Sequence, residues 1–337
     1  MTAPKVGIVI PAYNAERYIA ECLGSALDQD YPRFHIYVVD DASTDDTCKV
    51  IEQFMKSCPD RVTWVSREQN RGPGFTRQEV TEMALADGCK YIAPLDADDV
   101  RKPNTLACQV SLLEETSDAG ICYGRTDFLS SKGKLRIGSR WERYVAKLKG
   151  QPEGEVWEHL ITYGKLGTID TIVIRDQAAR LCSYGCDIPW LEELDYMAQI
   201  ATLPQYSRFI AIDEVVASYR FHRNQSPSAH DPEEFPRLVY NVTRDIALRV
   251  FHRLEEQGRP VPLRKRRRLW RRLVARTFLR FARKMKRSEM RVFGQDFLMP
   301  IQRLEVSCLG LKGAGESGTA VVPWKTPEES GAPSQPY

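Results

Sequence analysis

The sequence predicts an α/β protein with a mostly parallel sheet, followed by a basic helical C-terminal extension. Three observations carry this reading. Short β-branched runs alternate with segments whose apolar residues recur at helical spacing. The runs are continuously apolar rather than alternating in polarity, as expected of parallel strands covered on both faces. Charge also divides the 337-residue chain: residues 1–225 hold 26 Lys+Arg against 33 Asp+Glu, and residues 226–337 hold 22 against 12.

The first element is the run Val6-Gly7-Ile8-Val9-Ile10, stopped by Pro11, and residues 15–27 then show helical spacing. A second strand, Ile36-Tyr37-Val38-Val39, ends in Asp40-Asp41-Ala42-Ser43-Thr44-Asp45, where Ser43 or Thr44 can cap a helix over 45–56. Val62-Thr63-Trp64-Val65 is a third strand; Asn70-Arg71-Gly72-Pro73-Gly74 is a turn into a helix reaching Ala86; Tyr91-Ile92-Ala93-Pro94-Leu95 is a fourth strand. It runs into Asp96-Ala97-Asp98-Asp99. Ile121-Cys122-Tyr123 and Thr171-Ile172-Val173-Ile174 read as further strands. In a parallel sheet both acidic turns fall on one edge, at the carboxyl ends where α/β proteins hold ligands.

Aspartates on such a turn can supply oxygen ligands to Mg²⁺ or Mn²⁺, which are usually shared with substrate phosphates. A carboxylate of the other turn can accept the N3 hydrogen of uracil or bind a ribose hydroxyl. Each motif also has a plainer reading. Asp-rich turns are often solvated loops, Asp40 and Asp41 can be turn and cap residues, and Asn70-x-Gly72 can be an ordinary turn.

Taken in order, Ile8-Val9-Ile10-Pro11-Ala12-Tyr13-Asn14, Val38-Val39-Asp40-Asp41-Ala42-Ser43-Thr44-Asp45, Asn70-Arg71-Gly72 and Leu95-Asp96-Ala97-Asp98-Asp99 resemble the motifs of family 2 glycosyltransferases. The resemblance covers residues 4–226. It implies a GT-A domain over 1–225, with a nucleotide-sugar half to about residue 125 and an acceptor half beyond it. It also implies metal-dependent, inverting transfer of a sugar to a hydroxyl of a glycan or lipid-linked acceptor, in cell-surface polysaccharide synthesis. Family habit favours a UDP-sugar. By resemblance Pro11, Tyr13, Asp41 and Asp40 line the nucleoside pocket and Asn70 is a further nucleotide-sugar-binding residue, while Asp96 and Asp98 form the Asp-x-Asp pair, with Asp98 the direct Mn²⁺ or Mg²⁺ ligand. Glu192-Glu193 resembles an acidic pair, usually Glu-Asp, that supplies the general base. Glu193 stands in place of the Asp, so Glu192 is a second candidate and a degenerate site an alternative. Acidic residues in a first helical turn are also favoured by the helix dipole. Tyr219-Arg220-Phe221-His222 resembles the segment that closes over the diphosphate, with Arg220 a phosphate fork and His222 a metal or phosphate ligand. Residues 135–154 correspond to an acceptor-dependent stretch, where Arg136, Arg140, Trp141 and Arg143 are candidates.

From Arg264 to Lys284, Leu269, Leu273, Phe278 and Phe281 recur among many cations. The reading is a basic amphipathic helix that either lies on an anionic membrane surface through residues 264–287 or packs on the protein with its cations in water. Nucleic acid is disfavoured, because no recognised binding module accompanies the charge. The extension spans 226–310, and the Gly, Ser, Thr, Pro and Glu of residues 311–337 predict a disordered tail. With no signal peptide and no bilayer-length apolar stretch, and nine cysteines at irregular spacing, the expectation is a cytoplasmic protein with reduced thiols, soluble or peripheral on the inner face of the membrane. Three rivals remain. A sugar-nucleotide pyrophosphorylase would show a Gly-rich basic loop where Pro11-Ala12-Tyr13-Asn14-Ala15-Glu16-Arg17 stands. A non-catalytic nucleotide-sugar or glycan binder rests on Glu193 alone, and an interaction protein rests on the basic helix.

Overall fold

The computed structural model describes residues 2–135, 153–164, 166–185, 188, 191–222 and 235–282. They fall into two units. One comprises the described residues up to Val156 together with those from 166 to 222; the other comprises Trp157–Gly164 and the described residues from 235 onward. The candidates Arg136, Arg140, Trp141 and Arg143, and the tail 311–337, lie outside the described residues.

The first unit runs β1 (Val6–Ala12), α1 (Ile19–Leu27), β2 (Phe34–Asp40), α2 (Thr47–Ser57), β3 (Val62–Ser66), α3 (Pro73–Ala86), β4 (Tyr91–Pro94), β5 (Val100–Arg101), α4 (Thr105–Glu115), β6 (Ala119–Ser130) and β7 (Gly154–Glu155). After α5, which belongs to the second unit, it resumes with a 3-10 turn (Ile169–Thr171), β8 (Ile172–Arg175), α6 (Asp176–Arg180), α7 (Glu192–Ile200) and β9 (Arg208–Phe221). The sheet order is β3-β2-β1-β4-β8-β6-β9-β5, with β7 also paired to β9.

Strands β3, β2, β1 and β4 are mutually parallel, as the alternating pattern predicts. Beyond β4 the sheet is mixed. β8 joins β4 and β6 antiparallel, and β9 lies parallel to β6 and antiparallel to β5. Both faces of the parallel part are covered, which explains the unbroken apolar runs. Ile8, Ile10, Ile36 and Val38 share a core with Ile19, Leu23, Ile51, Leu106 and Val110. The opposite face of β1 and β2 meets α3. There a Cβ added to Gly7 would come within 2.7 Å of Ala84 Cβ, 3.2 Å of Cys89 Sγ and 3.3 Å of the Tyr37 ring.

Two local expectations are corrected. Strand β1 does not stop before Pro11 but continues to Ala12, pairing Pro11 with Val39 and Ala12 with Asp40. Pairing to β4 ends at Val9, so proline stands where the second neighbour has already left the ladder. Helix α2 starts at Thr47 without a Ser43 or Thr44 cap. Asp45 instead accepts the Thr47 N–H at 3.0 Å, because Ser43 is engaged by Asp40.

In the second unit α5 (Trp157–Tyr163), α8 (Phe235–Glu256) and α9 (Leu263–Ala282) pack together. α9 buries Leu269, Trp270, Leu273 and Val274; α8 buries Val239, Ile246, Val250 and Phe251; α5 buries Trp157 and Leu160. The apolar side of the basic helix is therefore occupied by protein. Among the described residues no helix is long and apolar enough to cross a membrane.

The close approach at Gly7 is testable. Gly7→Ala forces α3 away from the sheet, because the nearest of the three atoms, Ala84 Cβ, is fixed to the helix backbone. The expected loss is about 1–3 kcal/mol, read as a lower urea midpoint at unchanged slope.

Candidate active site

The parallel strands end together. Asp41 N–H donates to the Ala12 carbonyl at 2.8 Å and Leu95 N–H to the Val9 carbonyl at 3.0 Å, so the turns after β1, β2 and β4 lie on one edge. Tyr13 is 51% exposed at this edge. Asp40 and Asp41 are buried beneath it and differ in what they hold. The Asp40 carboxylate accepts Ser43 N–H, Ser43 Oγ–H, Cys48 Sγ–H and Ser66 Oγ–H, and so fastens its own turn to α2 and β3. Asp41 reaches the next turn: Oδ1 accepts Arg71 N–H at 2.9 Å and Arg67 Nη1 at 2.9 Å, and Oδ2 accepts Gly72 N–H at 2.8 Å. Asn70 Oδ1 also accepts Gly72 N–H at 3.1 Å. Gly72, at φ 88°, opens α3 ahead of Pro73; that backbone angle is the reason for glycine there.

The aspartate turn presents two carboxylates outward and one inward. Asp96 and Asp98 are 21% and 28% exposed at the side chain, whereas Asp99 is buried. One ligand oxygen from each of Asp96, Asp98 and Asp99 lies within 4.8 Å of the others. Such an all-oxygen donor set fits a hard divalent cation. Below the turn, Asp96 N–H donates to Asp170 Oδ1 at 2.6 Å. Burial, followed by repulsion from Asp170, pushes the Asp99 carboxyl well above the ordinary range, and burial together with Asp96 pushes Asp170 up as well. Two buried carboxyls side by side retain a proton between them. Arg101 closes the floor, with its Nη1 donating to the Asp170 carbonyl at 3.0 Å and its Nη2 to Gln109 Oε1 at 2.7 Å.

Arg77, on the buried face of α3, links this turn to the predicted acidic pair. Its Nη1 donates to Asp96 Oδ1 at 2.6 Å, its Nε to Glu192 Oε1 at 3.2 Å and its Nη2 to Glu193 Oε1 at 3.2 Å. Burial opposes its charge, but Asp96, Glu193 and Glu192 outweigh that effect and hold its pKa above the ordinary arginine value. The two glutamates open α7, where the dipole favours them. Glu192 is nearly buried, while Glu193 is 21% exposed at the side chain and is the better placed to meet a substrate. The neighbouring Asp195 points inward to Gln199 Nε2 at 2.9 Å.

Arg220 and His222 arrive from β9. Arg220 is 1% exposed, and its guanidinium lies 5.0 Å over the Tyr18 ring. Its Nε donates to the Asp98 carbonyl at 2.8 Å, its Nη2 to Glu21 at 2.7 Å, and its backbone N–H to Asp99 Oδ1 at 2.7 Å. His222 Nε2 is 2.7 Å from Asp98 Oδ2 and its ring rests 4.8 Å from that of Tyr18. A cleft of about 500 Å³ beside it is lined by Asn14, Arg17, Tyr18, Thr44, Asp45 and His222, among others. The structure thus brings Asp96, Asp98, His222 and Arg220 together at one turn, and joins Glu192 and Glu193 to it through Arg77. Pro11, Tyr13, Asp40, Asp41 and Asn70 stand along the neighbouring strand ends.

Sequence reasoning passed over Arg77, Asp170 and Arg67. A signal for Arg77 was present: it shares one helical face with Val80, Thr81 and Ala84, and a cation on a buried face implies buried acids around it.

Residues 7–172 match the sequence profile of Glycosyl transferase family 2. A glycosyltransferase of Bacillus subtilis named for teichuronic acid biosynthesis, TuaG, is 26% identical over 226 residues, 67% of this chain and 82% of that one. The crystal structure of Staphylococcus aureus TarS 1-349 with UDP-GlcNAc superposes at a TM-score of 0.50 and 20% identity, covering 72% of this chain and 66% of that one. The mannosyltransferase PcManGT of Pyrobaculum calidifontis, in complex with GDP-Man and Mn²⁺, superposes at a TM-score of 0.51 and 16% identity, covering 92% and 84%. Both likenesses are of fold, and that fold is GT-A. With strand order, clustered turns and family profile in agreement, the chain belongs to glycosyl transferase family 2 and is a glycosyltransferase.

Proposed function

We propose that the protein transfers a sugar, with inversion, from a nucleotide-sugar to a hydroxyl of a glycan or lipid-linked acceptor in cell-surface polysaccharide synthesis, at the cytoplasmic face of the membrane. The observation that carries this reading is the Arg77 bridge, because it gathers the aspartate turn and both glutamates around a single guanidinium. A UDP-sugar is the preferred donor; TarS was crystallised with UDP-GlcNAc, and TuaG is named for a wall polysaccharide.

In this reading the nucleoside rests on the strand ends beside Tyr13, with Pro11, Asp41 and Asn70 forming its bed and Asp40 holding that bed in shape. Asp98 and Asp96 would hold Mn²⁺ or Mg²⁺, with His222 steadying Asp98. When bound, the cation supplies charge neutralisation for the leaving diphosphate. Arg220 fixes the backbone of the turn from beneath through the Asp98 carbonyl, so its part in diphosphate binding is mainly through this support. Glu193 takes the proton of the acceptor hydroxyl, and Arg77 holds that carboxylate in place. Glu192, nearly buried on the same guanidinium, keeps Arg77 in place.

Release of nucleoside diphosphate from UDP-, GDP- and dTDP-sugars tests the reading. With one donor, turnover is expected in Mn²⁺ or Mg²⁺ and none in EDTA, and Asp98→Asn loses at least about 100-fold in kcat. Glu193→Gln is expected to lower kcat by roughly 10²–10⁴ while donor affinity holds. An unchanged kcat in Glu193→Gln would move the base to Glu192 or support a binding protein instead. Absence of donor binding in titration would remove the nucleotide-sugar reading altogether.

Arg77→Met leaves three neighbouring carboxylates without their shared cation. The expected outcome is a stability loss of about 3–5 kcal/mol, together with loss of turnover. Arg77→Lys, whose single nitrogen replaces the three that each meet a different carboxylate, recovers only part of either.

A further inference from the structure

The cations of α9 are divided between two tasks. Residues 263–282 contain eight arginines, one lysine and no acidic residue. On one flank of the helix charge is neutralised inside the unit: Lys265 pairs with Glu158, and Arg266 Nη2 contacts Glu255 at 3.0 Å. Opposite the buried Leu269, Trp270, Leu273 and Val274, the residues Arg264, Arg268, Arg271 and Arg272 are all exposed. At 3.6 residues per turn they fall within an arc of about 100° and along about 12 Å of helix axis. The result is a straight cationic ridge.

We infer that this ridge docks the protein electrostatically on an anionic lipid surface, without insertion of the helix. The inference deepens the proposed function and rests on it for the lipid-linked acceptor that such docking would serve. Three features select this occupant. The apolar face that an inserting amphipathic helix would bury in the acyl boundary is already covered by α5 and α8, which leaves charge as the only contact the ridge offers. Eight of the nine cations are arginine, whose planar donor fork suits phosphate oxygens. Among the described side chains, the aromatic rings in contact with α9 or carried on it, Trp157, Tyr240, Phe251 and Trp270, are buried and offer no stacking platform for bases. A convex row of guanidinium groups matches a flat phosphate surface, where each basic residue contributes roughly a five-fold gain in partition.

The test is co-sedimentation of the full chain with phosphatidylcholine vesicles containing phosphatidylglycerol, against pure phosphatidylcholine vesicles, at low and high salt. Binding is expected only to the anionic vesicles, weakening as salt is raised. The triple variant Arg264→Gln, Arg268→Gln, Arg272→Gln is expected to lose on the order of 100-fold in partition. A control that removes three exposed cations from the first unit, Lys49→Gln, Arg125→Gln, Arg208→Gln, is expected to bind within a few-fold of the parent. The inference is overturned if the parent chain does not sediment with anionic vesicles, or if both triple variants lose binding equally, which would reduce the effect to net charge. It is also overturned if an RNA homopolymer at equal phosphate concentration strips the protein from vesicles, which would assign the ridge to nucleic acid. Nucleotide-sugar turnover measured on the same preparations reports separately on the transferase reading, because none of the six positions lies at the active site.

Discussion

The arrangement of the active site depends on a single buried cation. Arg77 touches a carboxylate on the turn after β4 and two on the first turn of α7, joining residues 19, 115 and 116 positions away in the chain. At an effective dielectric of about 20, one such contact is worth roughly 4 kcal/mol in attraction, whereas each ion withdrawn from water costs several kcal/mol. Attraction and desolvation nearly cancel, so the cluster contributes little net stability. What it contributes is position. Without the guanidinium the three acids would repel one another; with it, α7 is held at a fixed distance from the aspartate turn.

The turn itself is held from below by groups of a different kind. Asp99 faces inward where Asp96 and Asp98 face outward, and burial beside Asp170 pushes its carboxyl well above the ordinary range, so the floor of the turn carries less than two full negative charges. Arg220 completes the support by donating to the Asp98 carbonyl and, through its backbone, to Asp99. Its side chain is almost wholly buried, with Nε on the Asp98 carbonyl and Nη2 on Glu21, so it braces the backbone of the aspartate turn.

The parallel half of the sheet was legible because its signals are local. Val6-Gly7-Ile8-Val9-Ile10 and Tyr91-Ile92-Ala93-Pro94-Leu95 are apolar on both faces, and the turns after β2 and β3 carry bonds within a few residues, Asp40 to Ser43 and Asn70 to Gly72. Pro11 misled because a strand end is set by which neighbour is still paired, which the chain around proline does not reveal. The mixed half was less legible: β6 and β9 run 12 and 14 residues with register shifts, held by partners far along the chain. Arg77 and Asp170 were hidden for the same reason. Each reads as an ordinary charged residue until the fold brings its partners from other elements, although a cation among Val80, Thr81 and Ala84 on a buried helical face marked a place where the pattern needed explanation.

Helix α9 shows the same ambiguity at the level of a whole element. A basic amphipathic pattern satisfies two different environments, since an apolar stripe can be covered by protein or by acyl chains and the periodicity is identical in both. In the structure Leu269, Trp270, Leu273 and Val274 are covered by protein, which removes the insertion mode while leaving the charge in place. An attachment made of charge alone differs physically from an inserted one. It weakens steeply with salt and involves no refolding of the helix, so it is rapidly reversible. For the proposed reaction, in which an acceptor is met at a surface and a nucleotide-sugar is drawn from solution, such contact concentrates the protein near the first without withdrawing it from the second.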